Sequence, residues 1–113
     1  MHIPAQEGLE KLGHSGKLFL ELFHHGTLVI EMYKPDRQDP QQPHDRDEVY
    51  IIISGHGDFI SNQDKVSFKP GDFLFVAARE HHHFENFSED FVTWVIFYGP
   101  KGGEAEIPAS LHV

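Results

Sequence analysis

The chain has 113 residues, which fits one domain with a single core, and its formal charge is −9 from 18 acidic and 9 basic residues. The lysines and arginines are scattered, so we expect no nucleic-acid partner. Cysteine is absent, which excludes disulfides, thiolate metal ligands and thiol nucleophiles, while ten phenylalanines predict a bulky aromatic core.

The N-terminal sequence predicts no export or membrane insertion. Residues 1–7 lack the basic start and the apolar run of a signal peptide. The chain also lacks an apolar run of the roughly eighteen residues that a membrane-spanning helix needs. We therefore predict a cytoplasmic protein without a membrane partner.

The predicted secondary structure consists of strands. Residues 1–16 hold Pro4 and three glycines and are predicted to be an irregular lead-in with at most one edge strand. Eight β-prone segments separated by turn residues then follow, and no convincing helix is expected. The predicted strands are 17–23, 27–33, 48–54, 58–61, 65–68, 73–76, 82–87 and 91–98.

Strands joined by loops and turns predict one all-β domain, a sandwich or barrel, over residues 1–113. Its core is predicted at about 17–98. Residues 34–43 contain three prolines and are predicted to be a loop, because proline lacks a backbone donor for a sheet. Residues 99–113 are predicted to be an exposed tail.

Polar residues at the entry to the third strand suggest a metal site. Gln42, His44 and Glu48 alternate in phase, so in an extended segment their side chains share one face. A histidine run, 81–83, arrives about a strand pair later. Histidine and carboxylate ligands held on strands are typical of transition-metal sites.

The same region, residues 42–86, resembles the two motifs of the cupin superfamily. The first is Gln42-x-His44-x₃-Glu48-x₆-Gly55, and the second is Gly71-x₅-Ala77-x-Arg79-x₂-His82-x₃-Asn86. The resemblance implies an antiparallel jelly-roll barrel, also called a double-stranded β-helix. It also implies metal ligands at His44, Glu48 and His82, with Gln42 where the family's first histidine would stand.

Three departures from the family pattern bear on the metal rather than on the fold. Gln42 replaces a histidine, and an amide oxygen is a weaker and harder donor than imidazole. Ala77 and Arg79 stand where the second motif has proline and glycine. The family's early glycine is absent at Asp36.

The resemblance leaves three functions open. Two histidines and one carboxylate resemble the facial triad of non-haem iron enzymes, and the same set also binds Zn, Ni or Mn. A dioxygenase- or isomerase-like cupin acting on a small oxygen-bearing organic molecule is one hypothesis. The others are a non-enzymatic ligand-binding or sensing barrel and a metal-free structural barrel.

Apolar residues around the motif have two interpretations. Tyr50, Phe84 and Trp94 could line the ligand pocket, although packing in the core is the simpler interpretation. Val49, Ile51 and Ile53 would face away from the metal, so a second sheet or a subunit is expected to cover them. Because the family commonly forms dimers, the resemblance implies a homodimer.

Overall fold

A computed structural model describes residues 1–105 of the chain. This part contains one helix and eight strands. They are α1 (Ala5–Ser15), β1 (Phe19–His25), β2 (Leu28–Tyr33), β3 (Asp47–Ser54), β4 (Gly57–Ser61), β5 (Asp64–Phe68), β6 (Phe73–Val76), β7 (His82–Glu85) and β8 (Val92–Tyr98).

The strands form two antiparallel sheets. Five strands make one sheet in the order β1-β2-β8-β3-β6, and three make the other in the order β5-β4-β7. The prediction of an all-β fold is confirmed at this level, and the predicted strands lie within a few residues of the observed ones. Residues 34–43 form the predicted loop, with only an isolated bridge between Asp36 and Gln38.

The prediction of an irregular N-terminus is wrong, because residues 5–15 form helix α1. Glycine has a low helix propensity, but at Gly8 the lack of a side chain allows close packing. A Cβ there would lie 2.6 Å from the Cε of Met32, so glycine lets the helix approach the sheet closely. Gly16 ends the helix in the left-handed conformation, with φ at 71°.

Helix α1 covers part of the outer face of the five-stranded sheet. Leu12 of the helix, Met32 of β2 and Val92 of β8 are the buried residues of this layer. Ile53 and Trp94 pack against them. The expected cover of the outer face is therefore partly this helix, and Trp94 lies under it.

The main core lies between the two sheets and is rich in aromatic side chains. Phe84 is 1% exposed and is surrounded by Tyr50, Phe59, Phe68 and Phe91, with ring centroids 4.7–5.4 Å apart. Gly55 borders this core at φ 86°, and a Cβ there would lie 2.5 Å from the Cα of Phe91.

Residues 99–105 are mostly exposed, but they are attached to the sheets. Asp47 is buried, and its carboxylate accepts hydrogen bonds from the backbone N–H groups of Ala78 (2.9 Å) and Glu104 (2.8 Å). The rest of the predicted tail, 106–113, lies outside the described residues. No helix within 1–105 has the length and apolarity needed to cross a membrane.

Candidate metal centre

The two sheets bring His44, Glu48 and His82 together. Glu48 lies on β3 of the larger sheet, His82 begins β7 of the smaller sheet, and His44 belongs to the loop that enters β3. One ligand atom from each residue lies within 4.8 Å of the other two. Two imidazoles and a carboxylate gathered in this way are a donor set that binds transition metals.

Glu48 is the buried carboxylate of this group. Its side chain is 1% exposed, and neither carboxylate oxygen has a hydrogen-bond partner in residues 1–105. The Nε2 atoms of His82 and His44 lie 2.9 and 3.9 Å from Glu48 Oε1, and these imidazoles compensate the carboxylate only when they are protonated. A buried ionised carboxylate costs several kcal/mol unless a cation compensates it. The residues therefore fit a divalent metal.

The hydrogen bonds around His82 leave its Nε2 facing the carboxylate of Glu48. Nδ1 lies 2.9 Å from the carbonyl oxygen of Glu80, and because a carbonyl can only accept, Nδ1 carries a proton. Nε2 lies 3.1 Å from the hydroxyl of Tyr50, which itself donates to Gln41 Oε1 at 2.9 Å. A cation at Nε2, either a proton or a metal, completes this network.

The pKa values follow from the same contacts. Burial by itself lowers the pKa of His82, but its contacts with Glu48 and with the Glu80 carbonyl outweigh burial and raise it. Burial, with the Glu48 charge, raises the pKa of Tyr50 well above its usual value. Tyr50 therefore keeps its proton and acts as a donor, whereas a metal would compete with a proton for His82.

The amide at the site comes from Gln41, not from Gln42. Gln41 Oε1 accepts the Tyr50 hydrogen bond and lies 3.3 Å from His44 Nε2. Gln42 is exposed and is absent from the described cavity wall and hydrogen bonds of the site. Strand β3 starts only at Asp47, so the side chains of residues 41–46 do not follow the alternation of a strand.

Asp39 fixes the loop that carries Gln41. Its carboxylate accepts hydrogen bonds from the Tyr33 hydroxyl (2.5 Å), the Gln41 amide (2.6 Å) and the Phe84 backbone N–H (2.8 Å). Sequence reasoning missed this residue. A lone Asp in a proline-rich loop carries no signal until its partners on β2 and β7 are known.

The second motif has a left-handed residue at Arg79. Arg79, at the position of the family's glycine, has φ at 69°, in the left-handed region that favours glycine. Its N–H donates to the His44 carbonyl at 2.5 Å, so the loops that carry His44 and His82 are directly joined. The departure therefore leaves these two loops connected.

A cavity of about 690 Å³ opens beside the group and gives it access to small molecules. His44, Glu48 and Gln41 form its polar end. Val95 and Phe97 of β8 form part of an apolar wall. Glu31 and Tyr33 of β2 add polar groups to the cavity, and no motif in the sequence singles out Glu31.

The three residues predicted as pocket lining have different locations. Tyr50 contacts the site through its hydroxyl. Phe84 is buried in the aromatic core, and Trp94 lies on the opposite face of the five-stranded sheet beneath α1. None of the three belongs to the described cavity wall. Trp94 faces outward because inward and outward positions alternate along each strand, and its neighbour Val95 faces the main core.

Comparisons with known proteins agree with this architecture. A family model described as "Cupin domain" matches residues 29–98, which include β3 to β8, all of β2 except Leu28, and all three candidate ligands. The solved structure of KdgF from Halomonas sp. superimposes with a TM-score of 0.65 and 19% identity, covering 74% of this chain and 78% of that one.

Two curated proteins are similar in sequence. An uncharacterized protein of Streptomyces coelicolor is 28% identical over 85 residues, covering 74% of this chain and 81% of the relative. The HTH-type transcriptional activator RhaS of Mannheimia succiniciproducens is 30% identical over 69 residues, or 61% of this chain. The matched region spans only 26% of that activator.

Proposed function

This chain belongs to the cupin family, and we propose that it is a metalloprotein in which His44, Glu48 and His82 hold a divalent transition metal beside a ligand cavity. The single observation that carries the proposal is the buried Glu48 carboxylate, whose two oxygens lack hydrogen-bond partners while two imidazoles converge on it. We further infer that the two sheets close as a jelly-roll barrel around this site.

The donor set indicates which metals are candidates. Two imidazoles and one carboxylate suit Fe, Zn, Ni or Mn, and three protein ligands leave coordination positions open. His44 and Glu48 line the cavity, so the open positions would face it. When bound, the metal would supply Lewis-acid or redox chemistry to a coordinated small molecule.

The cavity favours a small organic ligand that carries oxygen. Its apolar wall of Val95 and Phe97 would exclude water, and the polar end would bind a carboxylate, hydroxyl or carbonyl oxygen. Tyr50 would keep Gln41 oriented, and Glu80 would keep His82 in the tautomer that exposes Nε2. We propose that the protein acts on such a molecule in a dioxygenase- or isomerase-like reaction.

A ligand-binding or sensing role is the second candidate. It is favoured by the likeness to part of a transcriptional activator, together with the same cavity. In this role the metal would anchor a ligand without turnover. Oxygen consumption or product formation by the metal-loaded protein, tested on carboxylates, phenols and diketones, would exclude it, whereas binding without turnover would favour it.

Metal content tests the site itself. The protein should be produced without a histidine tag and its metals measured per chain by inductively coupled plasma mass spectrometry. We expect near-stoichiometric metal in the wild type, loss in His82→Ala, and retention in His81→Ala, since His81 is an exposed neighbour. A wild type that binds no metal even after reconstitution would refute the proposal and favour the metal-free barrel.

A further inference from the structure

Glu31 is a carboxylate in the cavity that the metal site does not use. It lies on β2, which is an inner strand of the five-stranded sheet, and its side chain is half-buried. Within residues 1–105 it forms neither a hydrogen bond to another side chain nor an ion pair. Lys17 lines the same cavity but is exposed and does not pair with it.

The strand register places Glu31 at a distance from the metal ligands. Glu31 is paired with Val95 of β8, whereas Glu48 is paired with Phe97 of the same strand. Two strand spacings and one two-residue step therefore separate the Cα atoms of Glu31 and Glu48, a distance of about 12 Å. Val95 and Phe97 lie between them, so an apolar wall connects the two polar ends of the cavity.

The surroundings of Glu31 disfavour a free charge. Burial raises its pKa, and the negative charges of Glu21 and Glu48 raise it further. Tyr33 lines the cavity nearby, but its hydroxyl already donates to Asp39. The described protein thus offers Glu31 no donor, and a bound molecule could supply one.

We propose that Glu31 is the residue that recognises the end of the ligand remote from the metal, by accepting a hydrogen bond from a hydroxyl or ammonium group. The ligand class is then a bifunctional small molecule. One end carries a metal-binding oxygen group, the middle is apolar, and the other end carries a hydrogen-bond donor. This inference rests on the proposed metal site and adds the ligand's second polar group.

The neighbouring Glu21 provides a matched control. It is paired with Glu31 on the edge strand β1, but it is exposed, lies outside the described cavity wall and contacts His24 at 3.0 Å. Substitution of either glutamate removes one negative charge from the same part of the sheet. Only the Glu31 substitution removes a polar group that faces the ligand.

The test uses three hydroxamate probes on the full-length protein loaded with Zn²⁺. Hexanohydroxamic acid supplies the metal-binding group and an apolar chain, and its derivatives with a terminal hydroxyl or a terminal amino group add the donor. Dissociation constants are measured by calorimetry for the wild type, Glu31→Met and Glu21→Met. Circular dichroism checks folding, and Glu31→Gln with the amino probe replaces Glu31→Met if that variant does not fold.

We expect at least one donor-bearing probe to bind the wild type roughly tenfold more tightly than hexanohydroxamic acid. Glu31→Met should abolish this advantage and Glu21→Met should keep it. Equal binding of all three probes by the wild type, or an advantage that survives Glu31→Met, would overturn the inference alone. A wild type that binds no Zn²⁺ would overturn the proposed metal site as well.

Discussion

Substitution of Asp39 by alanine tests whether the loop at residues 34–43 is fixed to the sheets as described. The wild-type carboxylate accepts three hydrogen bonds, from Tyr33, Gln41 and the backbone of Phe84. Tyr33 is only 8% exposed, so its hydroxyl is expected to lack an easy replacement partner. The half-buried Gln41 amide can turn towards water instead.

The magnitude follows from these contacts. A buried donor left without a partner costs about 1–3 kcal/mol, and two of the three donors, those of Tyr33 and Phe84, are in that position. We therefore expect Asp39→Ala to lower the free energy of unfolding by about 2–6 kcal/mol and the melting temperature by roughly 10 °C or more. Because the same loop leads to His44, metal affinity should fall by about 10–100-fold.

The assay combines urea denaturation of the metal-free protein with competition for Zn²⁺ against a chelating dye. Asp36→Ala is the control, because Asp36 lies in the same loop and its carboxylate is 75% exposed. A loss of stability no larger than that of Asp36→Ala would refute the role of Asp39. A loss of stability with unchanged metal affinity would show that Asp39 holds the loop without organising the metal site.

Three further predictions concern the backbone, pH and association. In thermal denaturation, Gly55→Ala should destabilise the protein by about 3 kcal/mol or more, and Gly71→Ala by only about 1 kcal/mol. Both glycines have positive φ, but only at Gly55 would a Cβ lie against the backbone of Phe91. Similar losses in the two variants would contradict this. Zn²⁺ affinity, measured by calorimetry, should fall as pH drops through the raised pKa of His82, since the imidazole must lose its proton to bind; a flat profile from pH 8 to 5 would argue against it as a ligand. Light scattering should find a dimer that Phe73→Glu converts to a monomer, because Phe73 is 63% exposed on edge strand β6; an unchanged mass would exclude that face as the interface.

The sequence by itself predicted the positions of the strands and singled out the three candidate ligands. Runs of β-branched and aromatic residues between turn residues predict strand positions, because this information is local to each segment. The spacing of His44, Glu48 and His82 matched the motifs of one family, and in the structure these residues meet. The neighbouring histidines His81 and His83 are absent from the group.

Tertiary structure decided the features that depend on contacts between distant segments. Gly8 reduces the helix propensity of residues 5–15, and the close contact with Met32 that explains it becomes visible only once α1 packs on β2. Tryptophan is a residue type that could line a pocket. Which face of the sheet Trp94 occupies depends on the register of β8 with β3.

The amide and the second carboxylate of the site illustrate the same limit. Alternation of side chains holds only within a strand, so it could not choose between Gln41 and Gln42 in a loop that Asp39 fastens to β2 and β7. Glu31 becomes part of the cavity because β8 pairs with both β2 and β3. The chemistry of each side chain is local to the sequence, whereas its partners are set by pairings between strands far apart along the chain.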